Sequence, residues 1–318
     1  MNTKNKVPSL SLCAAFGAAF VLSSAVLPSV PAVFAETNSL QTAIDGAQSG
    51  GTVKLTENCA EAVTVAQDDN IVLDLNGFEI SATLTNNGTL KIVDSVGTGA
   101  FRLTSNTSGV VSAIVNNGGL TFDGATVEAT GTGNQTDIRG ITNNSDAAVS
   151  FLSGDISGSS SGGYFGNAIF NAAGGTVEEI SGGTLTSQIS NTNVKLNSVA
   201  INNSGTIKDI LGGKITSENN GNGGTGNYAV AIRNNNGGVI ESISGGELYG
   251  CTDNGSEVAY AIFNQSGGTI KKISGGKLTG EKKEGTPRRR ADPTPSRCAT
   301  TARWGMWRAA PSLRRLRR

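Results

Sequence analysis

The chain contains no histidine, which excludes within it a Ser-His-Asp or Cys-His nucleophile and any imidazole metal ligand. Its four cysteines show no metal-ligand spacing: Cys13 falls in an apolar N-terminal segment, leaving Cys59, Cys251 and Cys298. Asp68-Asp69 is the only adjacent aspartate pair. It lies between two short β-rich runs and reads as a solvated turn rather than a proton-sharing dyad. Between residues 36 and 280 the arginines are Arg102, Arg139 and Arg233, none beside a carboxylate cluster in the sequence. The glycine-rich phrases make no GxxxxGK[ST] phosphate loop, and each Gly pair sits between strand-like runs instead of before a helix. The nonapeptide repeat that binds Ca2+ in some β-helices is missing too. Two carboxylates converging from distant segments could still act on a glycoside, but spacing names no such pair. No catalytic residue, cofactor site or metal ligand is expected.

Spacing does mark a surface. The phrase A-I-x-N recurs, and strand alternation points its Ile inward and its neighbours outward. On that reading Ala168, Ala200, Ala231 and Ala261 form an exposed small-residue column beside Phe170, Asn202, Arg233 and Phe263. A shallow groove floored by alanine and edged by Phe170, Arg233 and Phe263 could hold a glycan, since sugars stack on aromatic faces. The alternative is a loop packed over that face. Segments 187–198, 217–228 and 250–258 are polar and variable in length. They read as loops on one edge, where binding usually resides.

The elements that would position these residues come from a repeat. Residues 168–185 read AIFNAAGGTVEEISGGTL, 231–248 read AIRNNNGGVIESISGGEL, and 261–278 read AIFNQSGGTIKKISGGKL, with a shorter copy at 200–215. The A-I-x-N asparagine falls at Asn86, Asn116, Asn143, Asn171, Asn203, Asn234 and Asn264, at spacings of 30, 27, 28, 32, 31 and 30. Short β-rich runs punctuated by Gly and Asn at this period fit one coil of a three-sided parallel β-helix. Ile169, Ile201, Ile232 and Ile262 would stack on one side. Val177, Ile207, Ile240 and Ile270 begin the next, followed by Ile180, Ile210, Ile243 and Ile273, and Leu185, Ile215, Leu248 and Leu278 complete the triangle. Each buried side chain contributes about 2 kcal/mol, and stability grows by nearest-neighbour stacking.

Stacking carries two further expectations. Glu178, Lys208, Glu241 and Lys271 fall in one outward column of alternating sign, and Lys214, Glu247 and Lys277 in a second. Such ladders fix register. Cys59 and Cys251 lie about six turns apart, roughly 29 Å at ~4.8 Å per turn. That exceeds the ~7 Å Cα limit, so no bridge between them is expected. At the start, Asn38 or Ser39 can cap a short helix with Leu40, Ala43, Ile44 and Ala47 on one face, ended by Gly50-Gly51. Strands are expected near 52–55, 63–65 and 71–75.

The opening phrases SLQTAIDGAQSGGTVKL, NIVLDLNGFEI and NNGTLKIVDS resemble the first coils of the pectate-lyase-like right-handed β-helix superfamily. In particular they are similar to bacterial surface proteins with G-T-[IV]-x-x-I-S-G-G repeats. The resemblance covers roughly 37–280. It implies an all-β, right-handed parallel β-helix of about eight coils with a short N-terminal capping helix. It does not imply one activity, because the superfamily includes lyases, hydrolases and adhesins. The Asp-plus-His set of polygalacturonase-like members has no counterpart in a chain without histidine.

The chain divides into three regions. Residues 1–35 read as a signal peptide, with Lys4 and Lys6 before an apolar run and Val33-Phe34-Ala35 as a cleavage site. Residues 36–280 carry 11 basic and 22 acidic residues and form the repeat domain. Residues 281–318 carry 12 basic and 3 acidic residues and lack Ile, Val, Phe, Tyr and Asn. Such a stretch cannot build another coil and reads either as a disordered basic arm or as a frameshift or truncation artefact. The expected protein is exported, secreted or at the cell surface, non-catalytic and adhesin-like, and binds polysaccharide, a host or cell-surface glycan or another surface through the inter-repeat loops. A polysaccharide lyase or glycoside hydrolase is the alternative, and a truncated product without activity is a third. No sequence-specific nucleic-acid partner or cofactor is expected, and the uncapped last coil is prone to association.

Overall fold

The computed structural model describes residues 32–33, 39–133, 136–162, 165–190, 197–220, 228–252 and 258–282. The expected signal peptide apart from residues 32–33, residues 36–38, and the expected tail beyond residue 282 lie outside the described residues.

Helix α1 (Leu40–Asp45) opens the domain. Ser39 caps it by accepting from the Thr42 amide, and Leu40 and Ile44 are buried against the first coil. The cap at its far end is Gly46, four residues before the expected stop at Gly50-Gly51. The strands that follow, Gly51–Lys54, Val63–Val65 and Asn70–Asp74, lie where the sequence places them.

From there the chain winds as a three-sided parallel β-helix. One coil consists of Phe165–Asn171 on the first face, Thr176–Ile180 on the second and Thr184–Ile189 on the third. The first face is an eight-stranded sheet running from Val63–Val65 to Val258–Asn264, so eight coils stack. The other two faces join into one sheet because Gly119–Gly131 and Ala148–Ser160 each run round the corner as a single bent strand. Gly124 (φ 90°) and Gly154 (φ 98°) supply the bend, a backbone region closed to most residues with a Cβ.

Register follows the repeat. Ile169 pairs with Ile201, Ile201 with Ile232, Val177 with Ile207, Ile180 with Ile210 and Leu185 with Ile215. All of these are fully buried. Because matching positions meet, each column is a continuous aliphatic row from one coil to the next. In the first coils, where the repeat is degenerate, Phe101, Phe122 and Phe151 fill the interior, and the rings of Phe122 and Phe151 stack 5.9 Å apart.

One packing expectation is corrected. Ala168, Ala200 and Ala231 are fully buried in the core and not exposed. Simple alternation fails there because the ladder pairs Val199 with Val230 and Ile201 with Ile232 but skips the alanines between them. Burial runs through several consecutive residues of these strands, so Ala200 and Ile201 both lie in the core instead of alternating. The polar segments 187–198, 217–228 and 250–258 are also shorter as loops than expected. Thr184–Ile189, Lys214–Asn219 and Glu247–Thr252 are strands, with Ser187, Ser217 and Cys251 fully buried. The middles of those loops (191–196, 221–227, 253–257) lie outside the described residues. Cys59 is a free thiol and Cys251 is disulfide-bonded, so the two do not bridge each other.

Candidate functional site: an aromatic and arginine patch on the first face

The asparagines at the end of each first-face strand are structural. Asn86, Asn116, Asn143, Asn171, Asn203 and Asn234 are all fully buried. Each donates from Nδ2 to Oδ1 of the next, from 2.7 Å between Asn86 and Asn116 to 2.8 Å between Asn143 and Asn171. A buried amide without such partners would be costly, so this row is committed to the scaffold. Ser187 and Ser198, whose hydroxyls meet at 2.7 Å, and Ser217, which donates to the Ser198 carbonyl at 2.8 Å, tie the third face to the first.

What remains for function is the outer column of the same face. Thr142, Phe170, Asn202, Arg233 and Phe263 pair successively along it. The expected trio therefore lies in one column but makes no single groove. Phe170 is covered by Arg139, whose guanidinium carbon sits 3.6 Å from the ring centroid. Arg139 is itself held by Asp137, with Nη2 donating at 2.6 Å and Nε at 3.2 Å. Asn202 accepts from Asn235 at 2.7 Å. The buried alanines provide no floor.

Two coils further on the arrangement changes. Phe263 stacks on Tyr260 with centroids 5.3 Å apart at 18°, and Tyr228 lies 6.3 Å away at 49°. Arg233 donates from Nη1 to the Tyr228 hydroxyl at 2.7 Å. The Gln265 amide, oriented by its partners, accepts from Arg233 Nη2 at 2.7 Å and Nε at 3.0 Å. Burial pushes the Tyr228 phenol above its ordinary value, against the opposing pull of Arg233. Tyr260 is 38% exposed, so the stack offers a ring surface at the protein exterior.

Charge separates this arginine from the others. Arg102 pairs with Glu79 and Glu128, and Arg139 with Asp137. Arg233 has no carboxylate partner among the described residues. The patch thus joins a guanidinium without a carboxylate partner among the described residues, held by Tyr228 and Gln265, to the Tyr260–Phe263 stack of the next coil. Phe263 and Arg233 were legible in the repeat; Tyr228 and Tyr260 were missed, because they precede the repeated phrase. Their only signal was an aromatic residue upstream of A-I-x-N in the last two copies.

Other surfaces carry less chemistry. A shallow depression of about 630 Å3 on the third face includes Arg102, Glu128, Asp155 and Thr186, but Arg102 and Glu128 are tied to each other. A smaller hollow beside α1 contains Cys59. Burial and the nearby Glu61 and Glu57 carboxylates push its thiol up, which makes it a sluggish nucleophile. Among the described residues no group of His, Cys, Asp or Glu is arranged to hold a metal ion.

Comparison with known protein families, with curated proteins and with solved structures gives no match to this chain.

Proposed function

We propose that the chain is an exported, non-catalytic β-helix of the pectate-lyase-like kind, adhesin-like, which binds polysaccharide at the cell exterior. The observation that carries this reading is the patch of Tyr228, Arg233, Tyr260 and Phe263. Aromatic faces offer apolar area to the C–H faces of a sugar ring at low entropic cost, and Arg233 adds hydrogen-bond donors beside them. Elsewhere the outward charges neutralise one another coil by coil. Lys208 pairs with Glu178 at 2.5 Å, Lys271 with Glu241 at 2.6 Å and Lys277 with Glu247 at 2.7 Å. These ladders suit register and leave little for a ligand. The N-terminal region, with Lys4 and Lys6 before an apolar run and a small-residue site before Glu36, supports export.

A glycan array probed with the chain lacking residues 1–35 tests the reading. Retention on at least one polysaccharide, lost in the Tyr260→Ala/Phe263→Ala double variant, is expected. Silence across the array, or equal retention by the double variant, would overturn it. Release of reducing or unsaturated ends from a bound polysaccharide would replace binding by cleavage.

A further inference from the structure

We propose that the last coil, 258–282, is an open docking edge that takes a strand-forming segment of a separate polypeptide, with carboxylates at two defined positions, as one more parallel coil. The observations come from three kinds of group on that edge. Strands Val258–Asn264, Thr269–Ile273 and Lys277–Lys282 each end their ladder, with a neighbour on one side only among the described residues. Their outer backbone N–H and C=O groups have the alternation that pairs with an added strand. Among apolar groups, Ile273 is 51% exposed, whereas Ile243 directly beneath it is fully buried. Ile262, Ile270 and Leu278 are likewise only partly buried. The core row is complete up to this coil, and among the described residues none lies above it.

The polar groups say what the added segment must carry. Asn264 accepts from Asn234 at 2.7 Å and donates to the Gly268 carbonyl at 2.9 Å. Its second Nδ2 hydrogen has no partner among the described residues, and at this point every preceding asparagine meets an Oδ1 from the next coil. The outward columns alternate in sign and stop on Lys271 and Lys277, each paired downward with Glu241 and Glu247. The next member of each column must be acidic. A segment that satisfies all of this has an amide or carboxylate oxygen over Asn264, aliphatics over Ile270 and Ile273, and glutamates over Lys271 and Lys277.

The chain itself shows that such a segment works. Residues 231–248 lie on the coil carrying Lys208 and Lys214, with Asn234 accepting from Asn203 and Glu247 paired in register with Lys214. A second copy of the chain does not fit the edge. Its N-terminal end is closed by α1, and its own last coil would set Lys271, Lys272, Lys277 and Lys282 against like charges.

The test uses the full chain and a synthetic peptide of residues 231–248, followed by fluorescence anisotropy and amide hydrogen exchange. Saturable binding with slowed exchange confined to 261–264, 269–273 and 277–278 is expected, in the register of the preceding coil. The E241K/E247K peptide should bind roughly tenfold more weakly, since two cross-strand pairs turn from attraction to repulsion. A K271E/K277E chain, shown folded by circular dichroism, should reverse that preference. Absence of binding, equal binding of both peptides, or protection elsewhere would overturn the proposal. Edge-to-edge dimerisation of the chain alone would also overturn it, because the edge would then belong to a second copy.

Discussion

Asn203 donates from Nδ2 to Oδ1 of Asn234 at 2.7 Å, while its own Oδ1 accepts from Asn171 at the same distance. The bond crosses from one coil to the next through a fully buried interior position. It also has a direction. Every amide from Asn86 to Asn234 donates towards the C-terminal end. The stack is therefore polar along its axis, and the same hydrogen bonds that hold coils together define what an added coil must present.

Replacing Asn203 by alanine strands two neighbours at once, the Asn171 donor and the Asn234 acceptor. Leaving buried polar groups unpaired costs about 1–3 kcal/mol each, so Asn203→Ala should destabilise the central coils by about 2–6 kcal/mol. Because solenoids can lose global cooperativity, the check is amide exchange resolved along the chain. Accelerated exchange centred on 171–206 and 234–239 is expected, with the first coils little changed.

The sequence made the scaffold legible because one period ran through every level. Apolar spacing, Gly pairs and asparagines all repeated together, and Ile169 over Ile201 over Ile232 follows directly from like stacking on like. What escaped was local departure from ideal alternation. Nothing in A-I-x-N reveals that burial runs on through Ala200 and Ile201 together, so the alanines were placed outward when they are buried. Buried serines misled in the same way: Ser187 and Ser217 read as polar loop residues, yet their hydroxyls bond backbone carbonyls inside the coil. For the candidate site, register put Arg233 next to Phe263, but the tyrosines that complete the patch lie outside the repeated phrase.

The two glycines of each ISGG corner should differ when substituted. Gly246 has φ 81°, where an alanine costs about 1–2 kcal/mol through its left-handed backbone, and its Cβ would also meet the Gly212 carbonyl of the coil below at 2.7 Å. Gly245 has no such φ, but a Cβ there would collide with the Leu211 carbonyl of the coil below. That carbonyl is backbone and cannot swing aside. Both Gly245→Ala, through the collision alone, and Gly246→Ala, through strain and collision together, should therefore lower the denaturant midpoint, and a tolerated Gly245→Ala would contradict the close approach.

Acid should weaken the early coils through Asp74. Burial pushes this carboxyl up, but amide donors from Ser95 and Asn76, both at 2.9 Å, and Lys54 at 3.5 Å outweigh it, so it sits below its ordinary value. A depressed folded-state pKa stabilises fully above the unfolded value of about 3.9 and is lost as pH falls through the folded value. Asp74→Asn keeps an acceptor for the two amides but removes the charge. The stability gap between wild type and this variant should be constant above about pH 5 and close as pH drops below about 4. A gap that persists unchanged at pH 2 would show that charge plays no part. Asp123, held low by the Ser153 hydroxyl and Lys91, should weaken in the same window.

Within the outer column of the first face, the aromatic residues should not be equivalent. Phe263 and Tyr260 present stacked rings at the exterior, and an aromatic contact of this kind is worth about 0.5–1.5 kcal/mol beyond its area. Removing either ring should therefore weaken polysaccharide retention by roughly threefold to tenfold. Phe170 lies in the same column, but Arg139 covers its ring at 3.6 Å and Asp137 holds Arg139 in place. Phe170→Ala should leave retention unchanged and cost instead about 0.5–2 kcal/mol of stability through the lost cation–π contact. Comparing Phe170→Ala with Phe263→Ala on the same immobilised polysaccharide separates the two roles. Equal loss of retention would mean that the whole column binds, and a loss confined to Phe170→Ala would move the site away from Arg233.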